Sequence, residues 1–102
     1  MLPMHVVSGT TVTVSATASS VGGSIDCAAV SANAVYVVNT STTLNVAVRI
    51  GVGAQTAVLT TDIRLAPMQS VLIGANPQVT NVAAIGSAAG PTAVAFTPVR
   101  TL

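Results

Sequence analysis

The sequence predicts an all-β protein: a single small β-sandwich, jelly-roll or Ig-like, or a barrel, of seven to eight short strands with an extended N-terminal arm. Three observations lead there. Side chains alternate with a period of two, most clearly where Leu44, Val46, Val48 and Ile50 oppose Asn45, Ala47 and Arg49; this is the pattern of a strand with one buried face. Clusters of turn formers recur about every ten residues, the spacing of sandwiches and barrels. Val, Ala and Thr dominate, and β-branched side chains lose freedom in a helix but fit a pleated sheet.

Taken in order, residues 1–9 read as the arm and residues 10–102 as the sandwich. On the arm, Val6 and Val7 are suited to strand pairing with a neighbour. Thr10 to Ala16 alternates Val12, Val14 and Ala16 against Thr11, Thr13 and Ser15, which predicts a half-exposed strand. Thr17 to Gly23 reads as a small-residue loop, and Ser24 to Val30 as a strand with Ile25, Cys27 and Ala29 inward. Ala34 to Asn39 is apolar on both faces, so it is expected to be central or covered by a partner. The polar run Asn39 to Thr43 reads as the turn of a hairpin joining that strand to Leu44–Ile50. Gly51 to Gln55 reads as a flexible connection, followed by short extended pieces at Ala57–Thr60 and Asp62–Leu65. Pro67 suits the second position of a turn over Ala66–Gln69. Strands are then expected at Ser70–Ile73, Thr80–Ile85 and Thr92–Thr97, the last stopped by Pro98.

Charge is the compositional outlier. Charged residues make up 5% of the 102, against about a quarter in an average soluble domain. They are Arg49, Arg64, Arg100, Asp26 and Asp62, with a net charge of +1 and no Lys or Glu. Hydrophobic residues make up 51% of the chain. A surface so poor in charge is poorly protected against self-association, which points to burial in an assembly. A membrane is the competing explanation. It is disfavoured because polar residues, Gly and Pro interrupt every apolar run well short of the roughly 20 residues a spanning helix needs. The two aromatics, Tyr36 and Phe96, cannot supply the girdles of a membrane barrel. The first five residues lack the basic and apolar regions of a signal peptide. The single Cys27 cannot form an internal disulfide, which suits a chain made and folded in a reducing cytosol. Asn39-Thr40-Ser41 matches a glycosylation sequon, a short match that carries little without secretion.

Chemistry is hard to assemble from these residues. Asp26 and Asp62 are the whole stock of carboxylate side chains, and they read as turn or edge groups rather than an acid/base pair. His5 and Cys27 are too few for a zinc site within one chain. Cys27 alternates with Ile25 and Ala29 and reads as a small buried apolar residue. Gly51-Val52-Gly53 has Thr56 where a dinucleotide fingerprint needs glycine. Three Arg and two aromatics make no nucleic-acid surface. No catalytic residue, metal ligand or cofactor is assigned, and the chain is expected not to be an enzyme. The candidate interface residues are Val6 and Val7 together with Arg49, Arg64 and Arg100, whose planar guanidinium forks suit carboxylates on a neighbour.

A set of short motifs adds a resemblance. Val37-Val38-Asn39-Thr40, Val46-Ala47-Val48-Arg49-Ile50-Gly51, Leu65-Ala66-Pro67-Met68-Gln69-Ser70, Val82-Ala83-Ala84-Ile85 and Phe96-Thr97-Pro98 occur in that order. The series resembles small tailed-bacteriophage virion proteins, whose pattern often has Gly after the turn proline where this chain has Met68. The resemblance implies a structural β-sandwich of the phage particle, foremost a capsid decoration (cement) protein. Its expected partners are the major capsid protein or other virion proteins and further copies of itself, with a homotrimer favoured and neither nucleic acid nor membrane involved. A neck, tail or fibre-base component is the alternative. A bacterial adhesion or carbohydrate-binding β-domain is a further one, disfavoured by the missing signal peptide and aromatics.

Overall fold

The computed structural model describes residues 6–87 and 92–101, with side chains described for 9–87 and 92–100. Among the described residues nine strands run in order: β1 (Val6–Ser8), β2 (Val12–Ala16), β3 (Val21–Ser24), β4 (Ala34–Asn39), β5 (Val46–Gly51), β6 (Ile63–Leu65), β7 (Ser70–Gly74), β8 (Asn81–Gly86) and β9 (Thr92–Thr101). They form two antiparallel sheets. In the first, β1 and β2 lie end to end along β9, followed by β4 and then β7; the second has the order β3-β8-β5-β6. The pairs β2/β9, β3/β8, β4/β7 and β5/β6 are nested. One long antiparallel ribbon has therefore been rolled up so that successive pairs alternate between sheets, which is the jelly-roll form of the sandwich.

The core lies between the sheets. Val14, Val35, Val37, Val94 and Phe96 from the first sheet meet Val46, Val48, Leu65 and Val82 from the second. Period-two alternation places these residues inward. With one buried aromatic, Phe96, and many Val and Ala, the two inner faces can approach closely and be filled by small side chains.

Several sequence expectations change. The expected hairpin over Ala34–Ile50 does not form: β4 pairs with β9 and β7, while β5 pairs with β8 and β6 in the other sheet. The polar run between them is an arch from one sheet to the other. Asn39 holds it. Its side chain is fully buried, and Nδ2 donates to the carbonyls of Leu44 (2.9 Å), Leu65 (3.3 Å) and Ala66 (3.1 Å). Its Oδ1 accepts from the Ser41 amide. An amide engaged in this way is no glycosylation acceptor in the folded chain.

The strand expected over Ser24–Val30 sits earlier, at β3, and Ala28–Val30 is a single 3₁₀ turn. Gly22-Gly23 belongs to a strand and not a loop, since it pairs with Ala83 and Val82 of β8, and a Cβ on Gly23 would lie 3.3 Å from Val14 Cγ2 of the facing sheet. Ala57–Thr60 is not a strand. It leads into a turn in which the Thr61 and Asp62 amides both donate to the Val58 carbonyl.

Pro98 does not stop β9, which continues to Thr101. Its carbonyl accepts from Gly9, so its nitrogen also faces the side where β1 and β2 meet. The register shifts by one residue between those two strands, and the resulting bulge needs no donor from position 98. The arm expected over 1–9 is described from Val6 onward, and Val6–Ser8 there pair with Val99–Thr101 of the same chain.

Pro67 and Met68 form a tight turn closed by the Gln69 amide on the Ala66 carbonyl, at 3.0 Å. Met68 has φ of +62°, the value a type II turn demands after its proline and one that favours glycine. Its side chain is 64% exposed, so removing it sacrifices little packing.

Two stability outcomes follow. Asn39→Ala removes the side-chain bonds to the Leu44, Leu65 and Ala66 carbonyls, of which Ala66 keeps the Gln69 amide, and should lower unfolding free energy by about 2–4 kcal/mol, read by urea denaturation. Met68→Gly relieves left-handed backbone strain and should raise it by roughly 0.5–1 kcal/mol, the gain being limited by the extra freedom of glycine in the unfolded chain.

Candidate functional site: an assembly surface

The outward faces of the two sheets differ. On the second sheet, the connection between β5 and β6 folds back over the strands. Gln55 accepts from Arg49 Nε at 2.9 Å, and its backbone carbonyl lies near Gly22. Gly22 and Arg49 flank Ala83 across β3-β8-β5, so Gln55 roofs Ala83, which is fully buried although it points out of the sandwich. Ala57 is buried too, its amide donating to Ser20 Oγ. Gly51 makes room for this roof, since a Cβ there would meet the Gln55 side chain at 2.6 Å.

The middle of the outward face of the first sheet has no such cover, although Ala34 and Val99, paired at one end of it, are buried. In register across it, Thr11, Thr97, Tyr36 and Leu72 form one row, and Thr13, Ala95, Val38 and Ser70 the next. The Thr11 and Thr97 hydroxyls bond each other at 2.7 Å. Tyr36 is 42% and Leu72 45% exposed. None of the described residues on this face is charged. A broad, flat, uncharged face with an exposed Tyr and Leu at its middle is what an association surface presents.

The sequence-derived interface residues are scattered. Arg49 is engaged within its own chain: besides Gln55, its Nη1 lies 3.6 Å from Asp62 Oδ1. Asp62 in turn accepts from the Val58 amide through Oδ2 at 2.7 Å. Arg49 thus pins the roof, and its partner is internal. Arg64 is exposed on the short edge strand β6, paired with Ala47. Arg100 is exposed near the end of β9, paired with Val7. Neither has an ion-pair partner among the described residues. Val6 and Val7 lie along β9 as part of the sheet. The structure does not bring these five together. It points instead to Tyr36, Val38, Leu72 and Ala95, whose signal in the sequence was the apolar outer face of Ala34–Asn39.

Of the residues weighed for chemistry, His5 lies outside the described residues. Cys27 is fully buried, and burial, aided by the neighbouring Asp26 carboxylate, raises its thiol pKa above the ordinary value. The Asp26 carboxylate caps the following turn by accepting from the Ala29 amide. Among the described residues no three of His, Cys, Asp and Glu come together, and no helix is long and apolar enough to cross a membrane. A shallow cleft of about 490 Å³ between β5, β6 and β7 has Arg49, Asp62, Ile63 and Ile73 in its walls.

No protein-family model and no curated protein matches the sequence. Among solved structures the chain is similar to a subunit of Bacillus endospore appendages, described as a novel family of disulfide-linked pili. The two are 17% identical, the match covers 98% of this chain and 91% of that one, and the TM-score is 0.46. So distant a likeness carries no functional argument. The class is defined by the topology: a small all-β jelly-roll sandwich.

The roof makes a stability prediction. Asp62→Ala loses both the ion pair and the turn bond to Val58, and should cost about 1–2 kcal/mol in denaturant unfolding. Arg49→Met should cost under about 1 kcal/mol, as the guanidinium is half exposed.

Proposed function

We propose that this protein is a non-enzymatic structural subunit that works by assembling with copies of itself and with other subunits, and that its assembly is the head of a tailed phage, where it acts as a decoration protein. The observation that carries the assembly reading is the asymmetry of the two sheets: one outward face is roofed by its own chain, and the other is open, uncharged and carries Tyr36 and Leu72 exposed. Leaving such a face bare in a chain with 5% charged residues invites association. The phage form of the reading is supported by the ordered motifs from Val37 to Pro98 and their resemblance to virion proteins.

In this mechanism each contact is weak, and repetition around a closed shell makes the whole strong. A subunit that binds only the assembled shell stabilises it by mass action. Arg64 and Arg100, exposed and without internal ion pairs among the described residues, are available to acidic groups on neighbouring subunits.

The test is quantitative mass spectrometry of purified particles, with this chain measured against the major capsid protein. Decoration predicts a ratio near one. A few copies per hundred capsid subunits would move the protein to the neck or tail, and absence from particles would overturn the phage reading. Ala95→Lys, placed at the middle of the open face, should remove the protein from particles while leaving its circular dichroism spectrum unchanged.

A further inference from the structure

The outer strands differ in how they guard their edges. β6 is three residues long and carries Arg64. The edge made by β1 and β2 is broken by the bulge at Gly9 and Thr10. β3 contains two glycines and lies under the start of the roof. Short strands, charges and bulges are the usual protections against edge-to-edge pairing. β7, Ser70-Val71-Leu72-Ile73-Gly74, has none of them: five residues, no charge, no proline and no bulge.

The direction of its free backbone groups follows from the ladder. β7 pairs with β4 in unbroken register from Ala34/Gly74 to Val38/Ser70. Just beyond each end, the Asn39 amide donates to the Gln69 carbonyl and the Ala75 amide donates to the Asn33 carbonyl. Hydrogen-bonded pairs alternate along an antiparallel ladder, so Val71 and Ile73 bond to β4. Ser70, Leu72 and Gly74 then direct their N–H and C=O groups away from the sheet. All three residues are exposed, and a Cβ on Gly74 would meet nothing within 4 Å.

We propose that β7 is a homodimerisation edge that pairs antiparallel with β7 of a second copy, with the two-fold axis at Leu72. This deepens the assembly reading and rests on it. The edge is complementary to itself under that rotation: Leu72 faces Leu72 of the second copy, and Ser70 faces Gly74. Each pair exchanges two N–H···O=C bonds, so all outward donors and acceptors of the strand are satisfied. The two first sheets join into one continuous sheet, and the row Thr97–Tyr36–Leu72 runs on through the axis into its symmetry copy. Among the described residues no charge lies on the strand or on the outward face of the first sheet, and the charges in the cleft beside Ile73 and Gly74, Arg49 and Asp62, are an opposed pair within each copy. The uncharged, unguarded edge is what favours a second copy over an acidic or basic partner. A two-fold contact of this kind is distinct from the homotrimer expected from the resemblance, and each is compatible with the other in one lattice.

The register makes the test specific. Opposed residues of a hydrogen-bonded pair have Cα atoms roughly 5.5 Å apart, within disulfide range. Leu72→Cys should therefore give a covalent dimer on mild oxidation, Ser70→Cys alone should not, and Ser70→Cys with Gly74→Cys should. The native Cys27 is buried and does not compete. Leu72→Pro removes a donor that points away from β4, a placement proline tolerates; the variant should keep the far-ultraviolet spectrum of the wild type and sediment as a smaller species. Should Leu72→Pro misfold, Gly74→Pro gives the same readout, since its N–H also points away from β4 and the change leaves the side chains of the open face untouched. Oligomers that persist in these variants, with cross-linking indifferent to register, would overturn the edge proposal and leave the open-face reading standing. Loss of oligomers in Leu72→Pro, with no covalent dimer from Leu72→Cys, would mean that a different strand occupies β7, which also overturns it. A wild-type chain that stays monomeric at millimolar concentration would overturn both.

Discussion

The buried amide of Asn39 sits where the rolled ribbon crosses between sheets. The chain passes from the first sheet to the second between β4 and β5, and returns between β6 and β7. Both crossings meet Asn39: Nδ2 donates to Leu44 on the outgoing strand side and to Leu65 and Ala66 on the returning one. Ser41 completes the corner. Its hydroxyl accepts from the Thr43 and Leu44 amides, and its carbonyl accepts from Met68. A corner is the place where a sandwich runs out of ladder partners, and backbone groups turned inward there must be satisfied by something else. A side chain of fixed length that supplies two donors and an acceptor sets the separation of the two crossings. The strands that follow them, β5 and β7, take their positions from it.

The core contains little else in the way of polar interaction. It is assembled mainly from Val and Ala, with Ile25, Cys27, Leu65 and one Phe, so close approach of the sheets matters more than any one large side chain. Gly23 of β3 against β2, where a Cβ would lie 3.3 Å from Val14 Cγ2, shows how tight that approach is. The scarcity of charge is consistent with such an interior, but it has its main consequence outside, where the surface of the first sheet is left without the repulsion that keeps most small domains apart.

Much of this was legible in the residues. Alternation located β2 and β5 and identified their inward side chains, because the period of a half-buried strand is written directly in the residue types. The turn at Pro67 was legible for the same local reason. Strand pairing was not. Asn39–Thr43 has the composition of a hairpin turn, and nothing local distinguishes a turn from an arch; the difference lies in carbonyls that arrive from Leu65 and Ala66, far along the chain. Arg49 was read as reaching for a neighbour because its acceptors, Gln55 and Asp62, belong to a segment whose composition suggested a flexible link. Pro98 was read as a stop because the bulge that excuses it is formed by Gly9 and Thr10 at the other end of the sequence.

The same long-range placement explains why the association surface was only half visible. Val38 and Tyr36 signalled that Ala34–Asn39 is apolar on both sides, and a central strand satisfies that pattern at its edges but not on its outward face. Rolling the ribbon puts β4 between β9 and β7 and leaves Tyr36 and Val38 in the middle of a sheet that no part of the described chain covers. The second sheet meets the same problem by folding residues 52–62 over itself, anchored on Arg49 and Ser20. One chain thus treats its two apolar outer faces differently: one has a roof of its own, and the middle of the other is left open, as the proposed subunit contact requires. The long connection lies on the second sheet alone, and it takes up the Arg49–Asp62 pair that would otherwise discourage contact. What the roof leaves available for assembly is the face of β4 and β9 together with the unprotected edge of β7.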